Sequence, residues 1–226
     1  MQASALIFDM DGVLINSEHL WRKAMIKGFS EFDIHLTEDE CRSTMGMRFR
    51  EVILLWLSRH KKSTELASAI EQKVQDLLIS LINTEGKVIE GIPEIIDHCL
   101  KEKIPMGLAT SSSQKLMDTV VKRLELLEKI PFRVSAESLK YAKPHPEVFL
   151  LCAEKMMVDP QQCLVIEDSV NGVIAARAAG MQVIAVPDDE HYALPQFCLA
   201  QHYFRKMTEA LPLIKRTFKQ TSIQTH

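Results

Sequence analysis

The chain has 226 residues, 46% hydrophobic and 25% charged, with a formal net charge of −3. That balance belongs to a globular protein long enough to bury a sizeable core, and its slight acidity excludes a global basic field that would gather nucleic acid or an anionic membrane. No apolar run approaches the roughly 20 residues of a membrane span, and the five cysteines lack CxxC or Cys/His metal spacing, so the chain is expected in the reducing cytoplasm without a disulfide framework.

The first element is Ala5-Leu6-Ile7-Phe8, an unbroken apolar run that predicts a strand buried on both faces and ending at Asp9. Side chains alternate along an extended segment, so Asp9 and Asp11 fall on the same side, and Gly12 permits a sharp turn straight afterwards. Neighbouring carboxylates repel, so a fold that keeps them has a cation to hold or a proton to share; the alternative is a turn in which they cap backbone amides. From about Glu18 to Asn83 the pattern is helix after helix, with apolar stripes at Trp21, Met25 and Phe29, at Val52, Leu55 and Trp56, and at Ile70, Val74, Leu77, Leu78 and Leu81. This predicts a helical cap, residues 17–84, inserted into a core of residues 1–16 and 85–226.

Ile104 to Ala109 predicts a second buried strand, followed by Thr110-Ser111-Ser112-Ser113 and a helical pattern through Leu116, Val120, Val121, Leu124 and Leu127. Hydroxyls at a strand-to-helix junction suit a phosphate on a helix N-terminus, or else simply cap the helix through Ser112 or Ser113. Lys143 precedes Pro144, whose ring biases it toward an extended conformation, and Pro146 fits the first turn of the next helix. Such a lysine can place a charge on a phosphate or be solvated. Cys163 to Ile166 predicts a further strand, ending in Glu167 and Asp168 ahead of an alanine-rich helix closed by Gly180. These acids can cap that helix or hold a metal ion. Strands at 4–8, 105–109, 132–135, 163–166 and 182–186 alternate with helices, predicting an α/β fold with a doubly wound parallel sheet. Its site would lie beyond the strands' carboxyl ends, where all four polar strings fall.

In their order and placement, FDMDGVLINSE, LATSSS, KPHP and VIEDSVNG resemble the haloacid dehalogenase superfamily of phosphohydrolases, over the span from Leu6 to about Pro187. The chain is also similar to its β-phosphoglucomutase-like sugar phosphatases, through DGVLINSEHLW, KPHPEVFLLCA and EDSVNGVIAARAAGM. The resemblance implies Asp9 as nucleophile and Asp11 as general acid and base. It also implies Thr110, Ser111, Ser112 and Lys143 around the phosphate, and Mg²⁺ held by Asp9, Asp11, Asp168 and Glu167. The reaction it implies is hydrolysis of small phosphate monoesters through an aspartyl-phosphate, on sugar phosphates of the 2-deoxyglucose-6-phosphate or hexitol-phosphate type. The group's mutases carry a histidine where this chain has Trp21, and an arginine where it has Phe49 between Arg48 and Arg50. That departure favours a hydrolase over the alternative, a β-phosphoglucomutase-type phosphosugar mutase. Substrate choice is expected from His19, Trp21, Met47, Arg48 and Arg50 in the cap, unless Trp21 merely packs there and the arginines are solvated. The expected partner is a phosphorylated sugar, with no nucleic acid or membrane, and the chain is expected to be a monomer.

Overall fold

The structure, a computed structural model, describes residues 3–44, 46–189 and 191–219. Six strands, Ala5–Phe8 (β1), Met106–Thr110 (β2), Phe132–Ser135 (β3), Cys163–Glu167 (β4), Gln182–Ala185 (β5) and His202–Tyr203 (β6), form one sheet in the order β3-β2-β1-β4-β5-β6. Every neighbouring pair is parallel. The five apolar runs mark their strands to within a residue at either end. The sixth strand has no such run, because its two residues, His202 and Tyr203, are only half-buried.

Alternate residues of each central strand face opposite layers. Leu6, Phe8, Leu108, Leu164 and Ile166 join one core with the helices Ile92–Lys101 (α5), Gln114–Arg123 (α6) and Met207–Lys219 (α9). Ala5, Ile7, Ala109, Val165 and Val183 join another with Glu147–Met156 (α7) and Val170–Ala178 (α8). Both faces are therefore covered, which is why the strands read as continuous apolar runs. The chain moves outward from β1 to β3, then returns to the other side of β1 for β4. A crevice opens where the order reverses, beyond the carboxyl ends of β1 and β4.

Among the described residues, the elements between β1 and α5 are helices: Glu18–Ser30 (α1), Glu38–Arg42 (α2), Phe49–Arg59 (α3) and Ala67–Glu85 (α4), with a 3-10 turn at Thr64–Leu66 and isolated bridges of Ile15 to Asp11 and Val88. Thr37 and Glu40 start α2 with a reciprocal capping box. Met25 and Phe29 of α1, Val52 and Trp56 of α3, and Ile70, Val74 and Leu78 of α4 are buried in a core continuous with the first face of the sheet. The expected apolar stripe of α6 ends earlier than its spacing suggests. The helix stops at Arg123, Glu125 adopts a positive φ of 55° that turns the chain, and Leu127 is left exposed. Among the described residues, no helix is long and apolar enough to cross a membrane.

Candidate active site

Three strand ends and one loop deliver a buried polar cluster. Asp9 follows β1, its N–H donating to the Ile166 carbonyl at 3.0 Å, while Glu167 closes β4 and Asp168 comes next. Lys143 enters from the segment ahead of α7, with Pro146 at the helix cap. Its Nζ donates to Asp9 Oδ1 at 2.5 Å, Glu167 Oε1 at 2.7 Å and the Ala109 carbonyl at 3.0 Å, and it sits 4.6 Å from the Phe149 ring centroid. Burial pushes this ammonium down, but Asp9 and Glu167 together more than offset it and hold it protonated. Solvation, the alternative open to a lysine in sequence, does not occur: Lys143 is 4% exposed.

Glu167 is fully engaged. Oε1 accepts from Lys143, and Oε2 accepts from the N–H groups of Asp168 and Ser169, both at 2.9 Å, and from Ser169 Oγ at 3.1 Å. Its carboxylate occupies the space a Cβ on Gly172 would need. Ser169 caps α8 by accepting from the Gly172 N–H at 3.0 Å. Glu167 thus anchors the lysine and the start of α8. Asp168 is different: among the described residues no donor reaches its carboxylate, and it packs where a Cβ on Gly12 (φ +75°) would sit.

One oxygen from each of Asp9, Glu167 and Asp168 lies within 4.8 Å of the others. Three buried carboxylates face one ammonium. Burial first, then Glu167 and Asp11, push Asp9 up to about 8 despite Lys143, and burial, Glu167 and Asp9 hold Asp168 well above the carboxylate range. A hard divalent cation suits this all-oxygen donor set and relieves its repulsion. Asp9 and Asp168 each keep an oxygen clear of hydrogen bonds for such an ion, and Glu167 brings Oε1, which already accepts from Lys143, to the same cluster.

Asp11 is held by three donors. Oδ1 accepts from Ser17 Oγ at 2.6 Å and from the Trp21 indole N–H at 3.0 Å, and Oδ2 accepts from Ser112 Oγ at 2.7 Å. Ser17, although it precedes α1, gives its hydroxyl to Asp11 instead of capping the helix. In the hydroxyl cluster each residue has a separate task. Thr110 Oγ1 accepts from the Ser112 N–H, Ser113 caps α6, and the buried Ser111 Oγ has no partner among the described residues. Ser135, unremarked in the sequence, fixes the loop by donating to the Ser112 carbonyl at 2.5 Å.

These groups open into a cavity of about 130 Å³, whose other walls include Glu18, Trp21, Arg22, Met25, Met47 and Phe49. Trp21 packs on Phe49 with ring centroids 5.2 Å apart. Of the five expected cap contacts, only Trp21 and Met47 line this space. Arg50 pairs with Glu71 at 2.9 Å, and half-buried His19 stands near Lys23 and Glu85. Arg48 reaches into the core, its Nη2 donating to the carbonyls of Ala136 at 2.8 Å and Leu139 at 3.0 Å. Arg48 and Arg50 thus have partners away from the cavity, and His19 is not among its lining residues. Glu18 and Arg22 also line the cavity, and the sequence carries their signal, since positions 18, 21, 22 and 25 share one face of α1. Burial, then neighbouring Asp188, push the Glu18 carboxyl up to about 8.

Arg48 therefore ties the start of α3 to the segment that follows β3. Arg48→Ala is expected to lower kcat/KM by about 10-fold or more, the scale of one hydrogen bond from a charged group. The loss should be equal across a substrate panel; a change in the ranking of substrates would make Arg48 a specificity group instead.

Residues 6–186 match the model of the family described as haloacid dehalogenase-like hydrolase. Hexitol phosphatase B of Escherichia coli (strain K12) is 36% identical over 209 residues, covering 92% of this chain and 94% of the relative. A phosphorylated carbohydrates phosphatase of Thermotoga maritima is 31% identical over 183 residues, 80% of this chain and 83% of the relative. Among solved structures, β-phosphoglucomutase from Clostridium difficile superposes with a TM-score of 0.83 at 24% identity, covering 99% of this chain and 100% of that one.

Proposed function

The chain belongs to the haloacid dehalogenase-like hydrolases, and from that premise we propose that it is a Mg²⁺-dependent phosphatase of small sugar phosphates, working through an aspartyl-phosphate on Asp9. The observation that carries this reading is the Asp9 carboxylate, charge-paired with buried Lys143 and facing a cavity that also holds Asp11 and the hydroxyls of residues 110–112. The relatives named for hexitol and carbohydrate phosphates support the substrate class.

In the proposed reaction Lys143, Ser111 and Thr110 orient the phosphoryl group. An Asp9 oxygen forms a bond to phosphorus as the ester P–O bond breaks, and Asp11 supplies the proton taken up by the departing sugar oxygen. Asp11 then takes a proton from the water that hydrolyses the acyl-phosphate, which restores Asp9 and releases inorganic phosphate. Magnesium, held by Asp9 and Asp168 with the Asp11 backbone carbonyl that the family resemblance adds, would supply charge neutralisation on the phosphoryl oxygens. Glu167 serves by keeping Lys143 in place.

The test is a panel of hexitol, hexose and deoxyhexose phosphates, scored for free phosphate and for a phosphoryl group on the acid-quenched peptide bearing Asp9. Phosphate release together with that adduct is the expected result. Isomerised sugar phosphate in place of free phosphate would assign the mutase reaction, and an adduct on another residue would remove Asp9 from its role. Removing divalent ions with a chelator is expected to lower turnover on the order of 10³-fold, with Mg²⁺ restoring it. Undiminished turnover in excess chelator would end the metal assignment.

A further inference from the structure

The indole of Trp21 is bonded to the one carboxylate in the cavity that the proposed reaction uses for proton transfer. Asp11 Oδ1 takes hydrogen bonds from Trp21 Nε1 and Ser17 Oγ, and Oδ2 takes one from Ser112 Oγ. These three donors differ in kind. A serine hydroxyl can rotate and accept as readily as it donates, but an indole N–H can only donate. With Trp21 and Ser17 both donating to Oδ1, that oxygen is the more strongly held acceptor, which favours Oδ2, the side of the phosphate-facing loop, for a proton on this carboxyl.

We propose that Trp21 is a positioning residue: through its indole N–H the cap orients Asp11 so that Oδ2 presents the proton to the leaving oxygen. That proton passes to the ester oxygen as the P–O bond breaks. The bond's electron pair stays on that oxygen, and Asp9 forms the new bond to phosphorus. Trp21 stands on α1 in the cap, whereas Asp11 follows β1 in the core. The indole bond to the acid therefore exists only while α1 stays packed over the strand ends. Packing against Phe49 at 5.2 Å sets the plane of the indole. This inference rests on the reaction proposed above.

The test uses a series of substituted phenyl phosphates of similar size, from p-nitrophenyl to unsubstituted phenyl phosphate. A nitrophenolate departs without a proton, whereas a poorer leaving group needs one. Because kcat/KM reports the steps up to P–O cleavage, its dependence on leaving-group basicity reads out proton donation directly. Trp21→Phe keeps an aromatic wall and loses the N–H. It is expected to steepen that dependence, lowering the ratio of phenyl to p-nitrophenyl rates by about 10-fold or more, part of the 10²- to 10⁴-fold typical of general acid catalysis. Trp21→His, which keeps a ring donor, is expected to recover part of the ratio. An unchanged ratio in Trp21→Phe, or equal losses across the series, would reduce Trp21 to a wall of the cavity and overturn the proposal.

A second measurement needs no Trp21 variant. The chain has 2 tryptophans, and Trp56 Nε1 has no hydrogen-bond partner among the described residues, so it serves as an internal reference. In ¹⁵N spectra of the full chain, Asp11→Ala is expected to move the Trp21 indole N–H resonance upfield and leave that of Trp56 in place. A stationary Trp21 signal would show that the bond is not made. Wild-type protein that carries no phosphoryl group on Asp9 would sink the proposed reaction itself, whereas the Trp21→Phe outcomes bear only on the indole.

Discussion

Asp9→Asn is expected to lower turnover of the best sugar phosphate by at least about 10³-fold and to abolish the phosphoryl adduct, the scale seen when a nucleophile that acts as part of a unit is removed. An amide oxygen cannot attack phosphorus at a useful rate, and among the described residues no neighbour is placed to substitute. Asp168 lies close enough to share an ion with Asp9 but has no lysine against it. Glu167 has the lysine, but both of its oxygens are occupied. The variant should still fold, because Lys143 keeps Glu167 and the Ala109 carbonyl. Circular dichroism of the variant beside phosphate release separates the two effects. Turnover within 10-fold of wild type would move the nucleophile elsewhere.

Lys143→Met is expected to damage both stability and activity. Among the described residues the ammonium is the one cation bonded to Asp9 and Glu167, at 2.5 and 2.7 Å, and all three side chains are almost wholly buried. Removing one partner from a buried charge cluster typically costs about 3–5 kcal/mol, because the remaining charges stay desolvated and unpaired. For a chain of this size that lowers Tm by on the order of 10 °C. Asp9 and Asp168 already have raised pKa values in the folded protein. A carboxyl raised on folding favours the folded state at low pH, and that advantage is lost as pH climbs from the unfolded value through the folded one, about 8 for Asp9. The Tm deficit of Lys143→Met should therefore be largest near and above pH 8 and shrink toward pH 5, where these acids hold protons. Mg²⁺ should recover part of it by binding the folded state alone. Thermal melts across pH, with Mg²⁺ or with chelator, check both trends. An equal deficit at every pH would point to lost packing on Phe149 instead of unpaired charge.

Much of the site could be read along the chain because it is built on strand ends. An apolar run that stops at a carboxylate or hydroxyl marks Asp9, Thr110 and Glu167 with no knowledge of their neighbours. Glycines at Gly12 and Gly172 also belong to this arrangement, although their reason emerges only in space, where the carboxylates of Asp168 and Glu167 fill the room a methyl group would take. The cap was less legible. Its helices follow from their apolar stripes, but a stripe reports which side is buried and not where each polar side chain reaches.

Local pattern thus established the strand positions, the sheet's parallel character and the residue types gathered at its carboxyl edge, because pleat alternation and helical periodicity act between residues close in the chain. Long-range packing settled the division of labour among those residues. Glu167 is spent on Lys143 and the start of α8, the indole of Trp21 turns to Asp11, and Arg48 fastens the cap to carbonyls at Ala136 and Leu139. Each of these long side chains had several partners within its reach. Which one it meets depends on how the cap docks over the sheet and on which buried charge would otherwise go unpaired.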